Sequence, residues 1–252
     1  SAEREVSLRS GHAVAAALRS LGHAVCELDP ADANWVLPRE TQVVFLALHG
    51  TYGEDGTVQQ RLEELGVPYT GCSPAASRTA FDKVLTKRRL LETGVPTARF
   101  EVVTSRSAQW PPGWQPPVVL KPVRQGSSVG LQMVTLIDQW QPALLEALHF
   151  DSEVLMEERI EGRETTVGIL NGEALPVVEI RPKSGVYDFA SKYTKGLTEY
   201  FAPAPLEPAT TAAVQAAAET AFQACGCRDY ARIDLILSPK NGLCLLEINT
   251  LP

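Results

Sequence analysis

Tyr230-Ala-Arg-Ile-Asp-Leu-Ile-Leu-Ser-Pro-Lys-Asn-Gly-Leu-Cys-Leu-Leu-Glu-Ile-Asn249 is the stretch on which the fold turns. It reads as two apolar strands joined through Pro239-Lys-Asn-Gly242, and so as antiparallel sheet. Side chains two apart on a strand share a face. Arg232 and Asp234 therefore lie together on the first strand, and Glu247 and Asn249 on the second. Leu245 is expected on the face of Glu247, with Ile233, Leu235, Leu246 and Ile248 opposite. Unpaired carboxylates on such strands cost several kcal/mol, on the order of the effective burial penalty per ion. A hard divalent cation removes that cost. Oxygen-only ligands favour Mg²⁺, which keeps waters and accepts substrate phosphates. An Arg232 salt bridge on an exposed sheet face explains the same pattern, and at this point both readings stand.

Hairpins continue upstream of this segment. Val118-Val-Leu-Lys121 and Val129-Gly-Leu-Gln-Met-Val134 read as strands joined by a glycine-rich loop. Glu164 to Leu170 and Ala174 to Ile180 alternate around Asn171-Gly172, a type I′ turn signal. An alanine-rich helix begins near Pro208 and runs to Cys225. Trp110-Pro-Pro-Gly-Trp-Gln-Pro-Pro117 breaks regular structure as a connecting loop.

The first third has a different pattern. A helix over about residues 5 to 21 precedes a strand at Ala24 to Leu28 and an apolar strand at Gln42 to Leu48, and a further helix starts near Thr57. This alternation predicts a small parallel sheet flanked by helices. His49-Gly-Thr-Tyr-Gly-Glu-Asp-Gly56 follows the second strand, where open α/β sheets place ligands; a solvated turn is the plain alternative. The helix Asp82 to Leu91 stops at Gly94, with Pro96 just beyond.

The composition suits a globular chain of 252 residues: 44% are hydrophobic and 21% charged, enough for a substantial core. A net charge of −7, without long runs, disfavours nucleic acid and membrane surfaces as general partners. No apolar run approaches the roughly 20 residues of a membrane span. Five cysteines without a Cys-x-x-Cys pair read as buried free thiols of a reducing cytosol. Ser1-Ala-Glu-Arg-Glu has no apolar segment behind it, so no signal peptide is expected there.

Other segments carry weaker signals. Gln125-Gly-Ser-Ser-Val-Gly130 lacks the Gly-Lys-Ser/Thr ending of a Walker loop. Even so, its amides and hydroxyls suit phosphate, and Lys121 stands at its base. In Met156-Glu-Glu-Arg-Ile-Glu-Gly162, exposed backbone and Ile160 suit a purine ring and Glu164 suits ribose hydroxyls; taken in isolation, an ordinary charged strand end is the better reading. Arg181 to Thr198, which contains Lys192-Tyr193, is long and polar, the composition of a lid.

Taken in order, Ser1-Ala-Glu-Arg-Glu-Val-Ser7, Ala47-Leu-His-Gly50, Gly53-Glu-Asp-Gly-Thr57, Pro68-Tyr-Thr-Gly71, Asp82-Lys83, Leu120-Lys-Pro122, Gly126-Ser-Ser-Val-Gly130, Lys192-Tyr193, Ala231-Arg-Ile-Asp234 and Leu246-Glu-Ile-Asn-Thr-Leu-Pro252 resemble the D-alanine-D-alanine ligase family of the ATP-grasp superfamily. The resemblance implies an α/β and α+β chain. A Rossmann-like (pre-ATP-grasp) domain over residues 1–76 would precede two α+β ATP-grasp subdomains, 77–160 and 161–252, that clamp ATP. It implies a cytoplasmic enzyme of peptidoglycan synthesis, commonly a homodimer, using D-alanine, ATP and Mg²⁺ or Mn²⁺. Lys83 and Lys121 would hold ATP phosphates under a loop containing Ser127 and Ser128. Glu157, Glu158 and Ile160 would hold adenine, Glu164 the ribose, and Lys192 would also contact the nucleotide. Asp234, Glu247 and Asn249 would ligate the metal, and Arg232 would stabilise the oxyanion. Glu3, Ser127 and Tyr193 would form a hydrogen-bonded set near the first D-alanine, with His49 near its carboxylate. Tyr193 is similar to the D-alanine-accepting subgroup; D-lactate and D-serine acceptors, or a nucleotide-binding fragment without ligase activity, are the alternatives. Family members begin with a strand and glycine turn and continue past Leu-Pro, so a chain cut at both ends is expected.

Overall fold

The computed structural model describes residues 3–32, 35–182 and 197–252. Helix α1 (Arg4–Ser20) opens them, followed by α2 (Thr57–Glu64), α3 (Pro74–Phe81) and α4 (Lys83–Glu92). Local chemistry sets these boundaries. Ser73 caps α3 with Pro74 at its first position, and the Asp82 carboxylate accepts from the amides of Val84 (3.0 Å) and Leu85 (2.9 Å). As the sequence predicts, α4 stops before Gly94, which adopts a φ of +72°.

The expected parallel sheet of the first third does not form among the described residues. Residues 24–28 carry no strand, and 42–48 make only a parallel bridge from Val44 to Tyr69. Both segments border an apolar cleft of about 1020 Å³ beneath α1, so neither offers the other a ladder of hydrogen bonds. Val43 and Phe45 consequently remain exposed.

A four-stranded antiparallel sheet follows: β1 (Phe100–Val103), β2 (Val118–Pro122), β3 (Gln132–Val134) and β4 (Val154–Glu158), in the order β1-β4-β2-β3. One face packs on α5 (Trp140–Phe150) through Val118, Leu120, Val134, Leu144 and Met156; the other carries Leu155 against Val84 of α4. β3 is shorter than the expected 129–134, because Gly130 at φ +70° and a Leu131 amide bonded to Ser128 keep 128–131 in a turn. Trp114 of the connecting loop is buried and donates to Glu101 at 2.8 Å.

The second sheet holds β5 (Arg163–Leu170), β6 (Glu173–Ala174), β7 (Val178–Pro182), β8 (Thr198–Phe201), β9 (Tyr230–Ser238) and β10 (Gly242–Asn249). Its order is β10-β9-β5-β7-β8, with β6 paired to β5. Asn171 and Gly172 both have positive φ, in keeping with the expected turn. The expected strand 174–180 is instead split into β6 and β7 around Pro176, which has no amide to give the ladder. The expected lid 181–198 contributes its ends to β7 and β8, where Arg181 pairs with Glu199; Lys192 and Tyr193 lie outside the described residues. Helix α6 (Pro208–Ala224) covers this sheet through Val214, Ala218, Ala221 and Phe222, packed on Val167, Ile169, Ile233 and Leu235.

All five cysteines are free; Cys72, Cys225 and Cys244 are buried as expected, whereas Cys26 is exposed. No helix among the described residues is long and apolar enough to cross a membrane.

Gly162 joins the two sheets where β4 passes to β5, and a Cβ there would lie 2.3 Å from the Leu237 carbonyl oxygen. Gly162→Ala should lower stability by about 1–3 kcal/mol, the cost of overpacking, read from the urea midpoint.

Candidate active site

The hairpin β9/β10 builds one wall of the site. Asp234 faces Glu247 and Arg232 faces Asn249 across the strands, with Thr166 of β5 on the other side of Asp234. Asp234 is densely satisfied. Arg232 donates to both of its oxygens (2.9 and 3.0 Å), Thr166 Oγ1 donates at 2.7 Å and Asn249 Nδ2 at 3.0 Å. Both readings of this face therefore find support: the salt bridge exists, and two carboxylates and an amide still converge.

Here the structure corrects the expected facing. The register shifts between Leu245 and Glu247, a β-bulge. Leu245 is therefore fully buried in the core with Ile233, Leu235 and Ile248, and Leu246 is half-buried at the bulge. A strict alternation of two cannot anticipate the extra residue.

The opposite wall is cationic. Lys121 on β2 and Glu157 on β4 share a face and form an ion pair, while Lys87 Nζ of α4 lies 3.0 Å from the other Glu157 oxygen. Burial pushes the Glu157 carboxyl upward, but the Lys121 and Lys87 ammoniums and their hydrogen bonds more than offset this and hold its pKa at about 2. Burial works against the Lys121 ammonium, and Glu157 raises its pKa in spite of that. Lys83 Nζ donates to the Gln125 carbonyl at 2.5 Å, and burial lowers its pKa. Glu158 lies on the opposite face of β4 from Glu157 by strand alternation, so the two are not brought together. Ile160 is half-buried just beyond β4, and Glu164 lies on the β5 face that carries Thr166.

Between the walls runs the loop 125–131. Arg124 anchors its base, donating to Asp151 (2.7 Å), Glu153 (2.6 Å) and Asp82 (3.3 Å). Ser127 and Ser128 adopt φ of +52° and +63°, a left-handed conformation uncommon for serine. Gly126 approaches two carboxylates so closely that a Cβ would lie 2.9 Å from Glu3 Oε2 and 3.7 Å from Glu54 Oε2.

Glu54 is the residue that sequence reasoning missed, although its loop was read as ligand-facing. Its carboxylate accepts from the Gly50 amide at 3.0 Å. Burial first, and then the charge of Glu3, push its pKa up to about 8, leaving a protonated carboxyl beside Glu247 and Arg232 at neutral pH. Chemically distinct carboxyls pushed apart in this way mark reaction sites. His49 is pinned by its ring to Ser10 (3.0 Å) and the Leu251 carbonyl (3.2 Å), and its amide donates to Ser7. It thereby ties α1 to the end of β10.

Glu54, Lys83, Gln125, Gly126, Glu247 and Asn249 line one small cleft. The larger cleft beneath α1 is mostly apolar, and its lining includes none of these six residues. Among the described residues no three His, Cys, Asp or Glu side chains are disposed around a metal position. The donors available are Asp234, Glu247 and the Asn249 amide, oxygen ligands of the kind a hard cation takes.

Comparison with known proteins agrees with this geometry. The family described as D-ala D-ala ligase C-terminus matches residues 90–252, and the one described as D-ala D-ala ligase N-terminus matches residues 30–72. The chain is 46% identical over 252 residues to a D-alanine–D-alanine ligase of Methylacidiphilum infernorum, covering all of this chain and 82% of that one. It is 44% identical over 258 residues to the enzyme of Aquifex aeolicus, of which it covers 87%. Among solved structures, the D-alanine–D-alanine ligase of Bacillus anthracis complexed with ATP superposes with a TM-score of 0.74 at 33% identity, covering 85% of this chain and 70% of that one. The VanG D-Ala:D-Ser ligase of Enterococcus faecalis gives 0.72 at 30% identity, over 84% and 64%. Matches of this identity along the whole chain, together with the two family models, make this chain a member of the D-alanine–D-alanine ligase family, with its ATP-grasp fold.

Proposed function

We propose that this chain joins two D-alanines with ATP, in the cytoplasm, to supply the dipeptide of peptidoglycan. The observation that carries this reading is the facing of Lys83 and Lys121 toward Glu247 and Asn249 across the loop 125–131. A carboxylate is a poor acyl donor because its oxygen leaves badly. Transfer of the γ-phosphoryl group to the carboxylate of the first D-alanine breaks the terminal P–O bond of ATP, releases ADP and turns that oxygen into a phosphate leaving group. The amine of the second D-alanine then attacks the acyl carbon, and phosphate departs from the tetrahedral intermediate.

Lys83 and Lys121 bind the phosphates as point charges. Ser127 and Ser128 cover them from the loop that Arg124 anchors. The edge of residues 157–160 receives adenine, with Glu157 and Glu158 on its two faces and Ile160 against the ring, and Glu164 takes the ribose. Lys192 and Tyr193, outside the described residues, are assigned by the family resemblance alone, the first to the nucleotide and the second to a set with Glu3 and Ser127 around the first substrate. Glu3 pairs with the ammonium of that substrate, and His49 faces its carboxylate. Arg232, fixed in orientation by Asp234, meets the oxyanion; preorganised charge of this kind is often the largest catalytic contribution. Asp234, Glu247 and Asn249 would hold Mg²⁺, or Mn²⁺, which neutralises charge on the phosphates. The active species is taken to be a homodimer, to be checked by sedimentation.

Phosphate release should require both ATP and D-alanine, with D-alanyl-D-alanine identified by mass. ATP turnover indifferent to D-alanine overturns the reading, and a preference for D-serine or D-lactate in direct competition moves the chain to the corresponding acceptor class. Arg232→Met should lower kcat by about 10²- to 10³-fold, the effect of losing one oxyanion donor. Glu247→Gln should abolish the Mg²⁺-dependent part of the rise in melting temperature on adding ATP; an unchanged rise refutes the metal assignment.

A further inference from the structure

Lys87 has no part in the reading above, yet it is among the most enclosed side chains of the protein, at 1% exposure. It lies one helical turn after Lys83 on α4, on the same face. Its ammonium is held 2.7 Å from Thr97 Oγ1, 3.4 Å from the Ala98 carbonyl and 3.0 Å from Glu157 Oε2. The other Glu157 oxygen pairs with Lys121.

The charges on this face do not cancel. Two ammoniums share one carboxylate, which is itself only 2% exposed, so one positive charge remains to be met by an anion. Lys87 is sealed among fixed acceptors and cannot reach a ligand. Lys121, with 16% of its side chain exposed, is the more accessible of the two ammoniums. Because the Glu157 charge is shared with Lys87, its close contact with Lys121 does not leave this face neutral. Without Lys87, Glu157 and Lys121 would be a neutral pair.

The same anchor reaches the other wall. Thr97 Oγ1, which receives the Lys87 ammonium, donates to the Leu245 carbonyl at 2.9 Å, and the Leu245 amide donates to the Pro96 carbonyl at 2.8 Å. Leu245 immediately precedes the bulge that turns Glu247 toward the cleft.

We propose that Lys87 is a positioning residue for nucleotide binding: by engaging Glu157 from the interior, it fixes the carboxylate that aims the Lys121 ammonium and leaves the trio with a net positive charge toward the phosphates of ATP. This rests on the reading of Lys121 as a phosphate ligand, and the test separates the two.

Lys87→Met keeps the apolar stem and removes the charge. In the full chain, KM for ATP should rise about tenfold, within the range of couplings between contacting residues, while kcat changes little; calorimetric titration with a non-hydrolysable ATP analogue should weaken in parallel. If Lys87 acts through Glu157, the same substitution in a Glu157→Gln background should have no further effect on KM. A lowered melting temperature with unchanged KM makes Lys87 merely structural and overturns the proposal, as does a full tenfold effect that persists in the Glu157→Gln background. Should Lys87→Met fail to fold, the charge-balanced double variant is compared with Glu157→Gln alone, and a much higher KM in the double variant is equally fatal. Lys121→Met is the control. If it leaves KM unchanged, the assignment of Lys121 to phosphate fails and the proposal with it; if it raises KM while Lys87→Met does not, only the proposal fails.

Discussion

The β-bulge between Leu245 and Glu247 is the constraint on which the site depends. Strands β9 and β10 must bury one face against α6, since Ile233, Leu235, Leu245 and Ile248 together form the largest core. They must also turn charged side chains to the other face. One inserted residue lets Leu245 stay in the core while Glu247 and Asn249 line up with Asp234 and Arg232. Without it, period-two alternation would keep Leu245 on the face of Glu247, and either a leucine would leave the core or the carboxylate would enter it. Both are costly, the second by several kcal/mol, on the order of the penalty for an isolated buried ion. The same residue also bonds to Pro96 and Thr97, so the bulge sits where the segment after α4 is stitched to the second sheet.

The charges then arrange themselves as two unlike walls. On the nucleotide side, buried ammoniums outnumber the one carboxylate that accompanies them, which leaves that wall positive in a chain whose net charge is −7. On the hairpin side, Asp234 is neutralised in place by Arg232, Thr166 and Asn249. Glu54 holds a proton near neutral pH because burial and Glu3 both oppose its ionisation. Local groups thus set a field here against the sign of the whole molecule.

Much of this was legible before any coordinates. Gly94 as a stop, Asn171-Gly172 as a turn and the final hairpin all follow from local backbone preferences, and the structure has each. Asp234 and Glu247 were identifiable because carboxylates on apolar strands need partners, Lys121 because it stands at the base of a glycine-rich loop, and Glu157 through the family resemblance. Three features were not legible. The strands expected at 24–28 and 42–48 have the right composition but no ladder, because pairing is a property of two segments and not of one. Pro176 divides a strand whose alternation reads as continuous. Lys87 and Glu54 looked like ordinary members of a charged helix and a polar loop, since burial cannot be read from spacing alone.

By itself, then, the sequence determined the hairpins, several helices with their stops, and the family, because turns and alternation are set within a few residues and many short motifs in one order specify an architecture. Only the tertiary structure decided which face each charge occupies and what it is worth. A one-residue bulge reverses a strand's facing, and the energy of a lysine or carboxylate depends on the dielectric and partners supplied by segments far away in the chain. Lys87, Lys121 and Glu157 come from a helix and two strands, and their meeting is the product of packing.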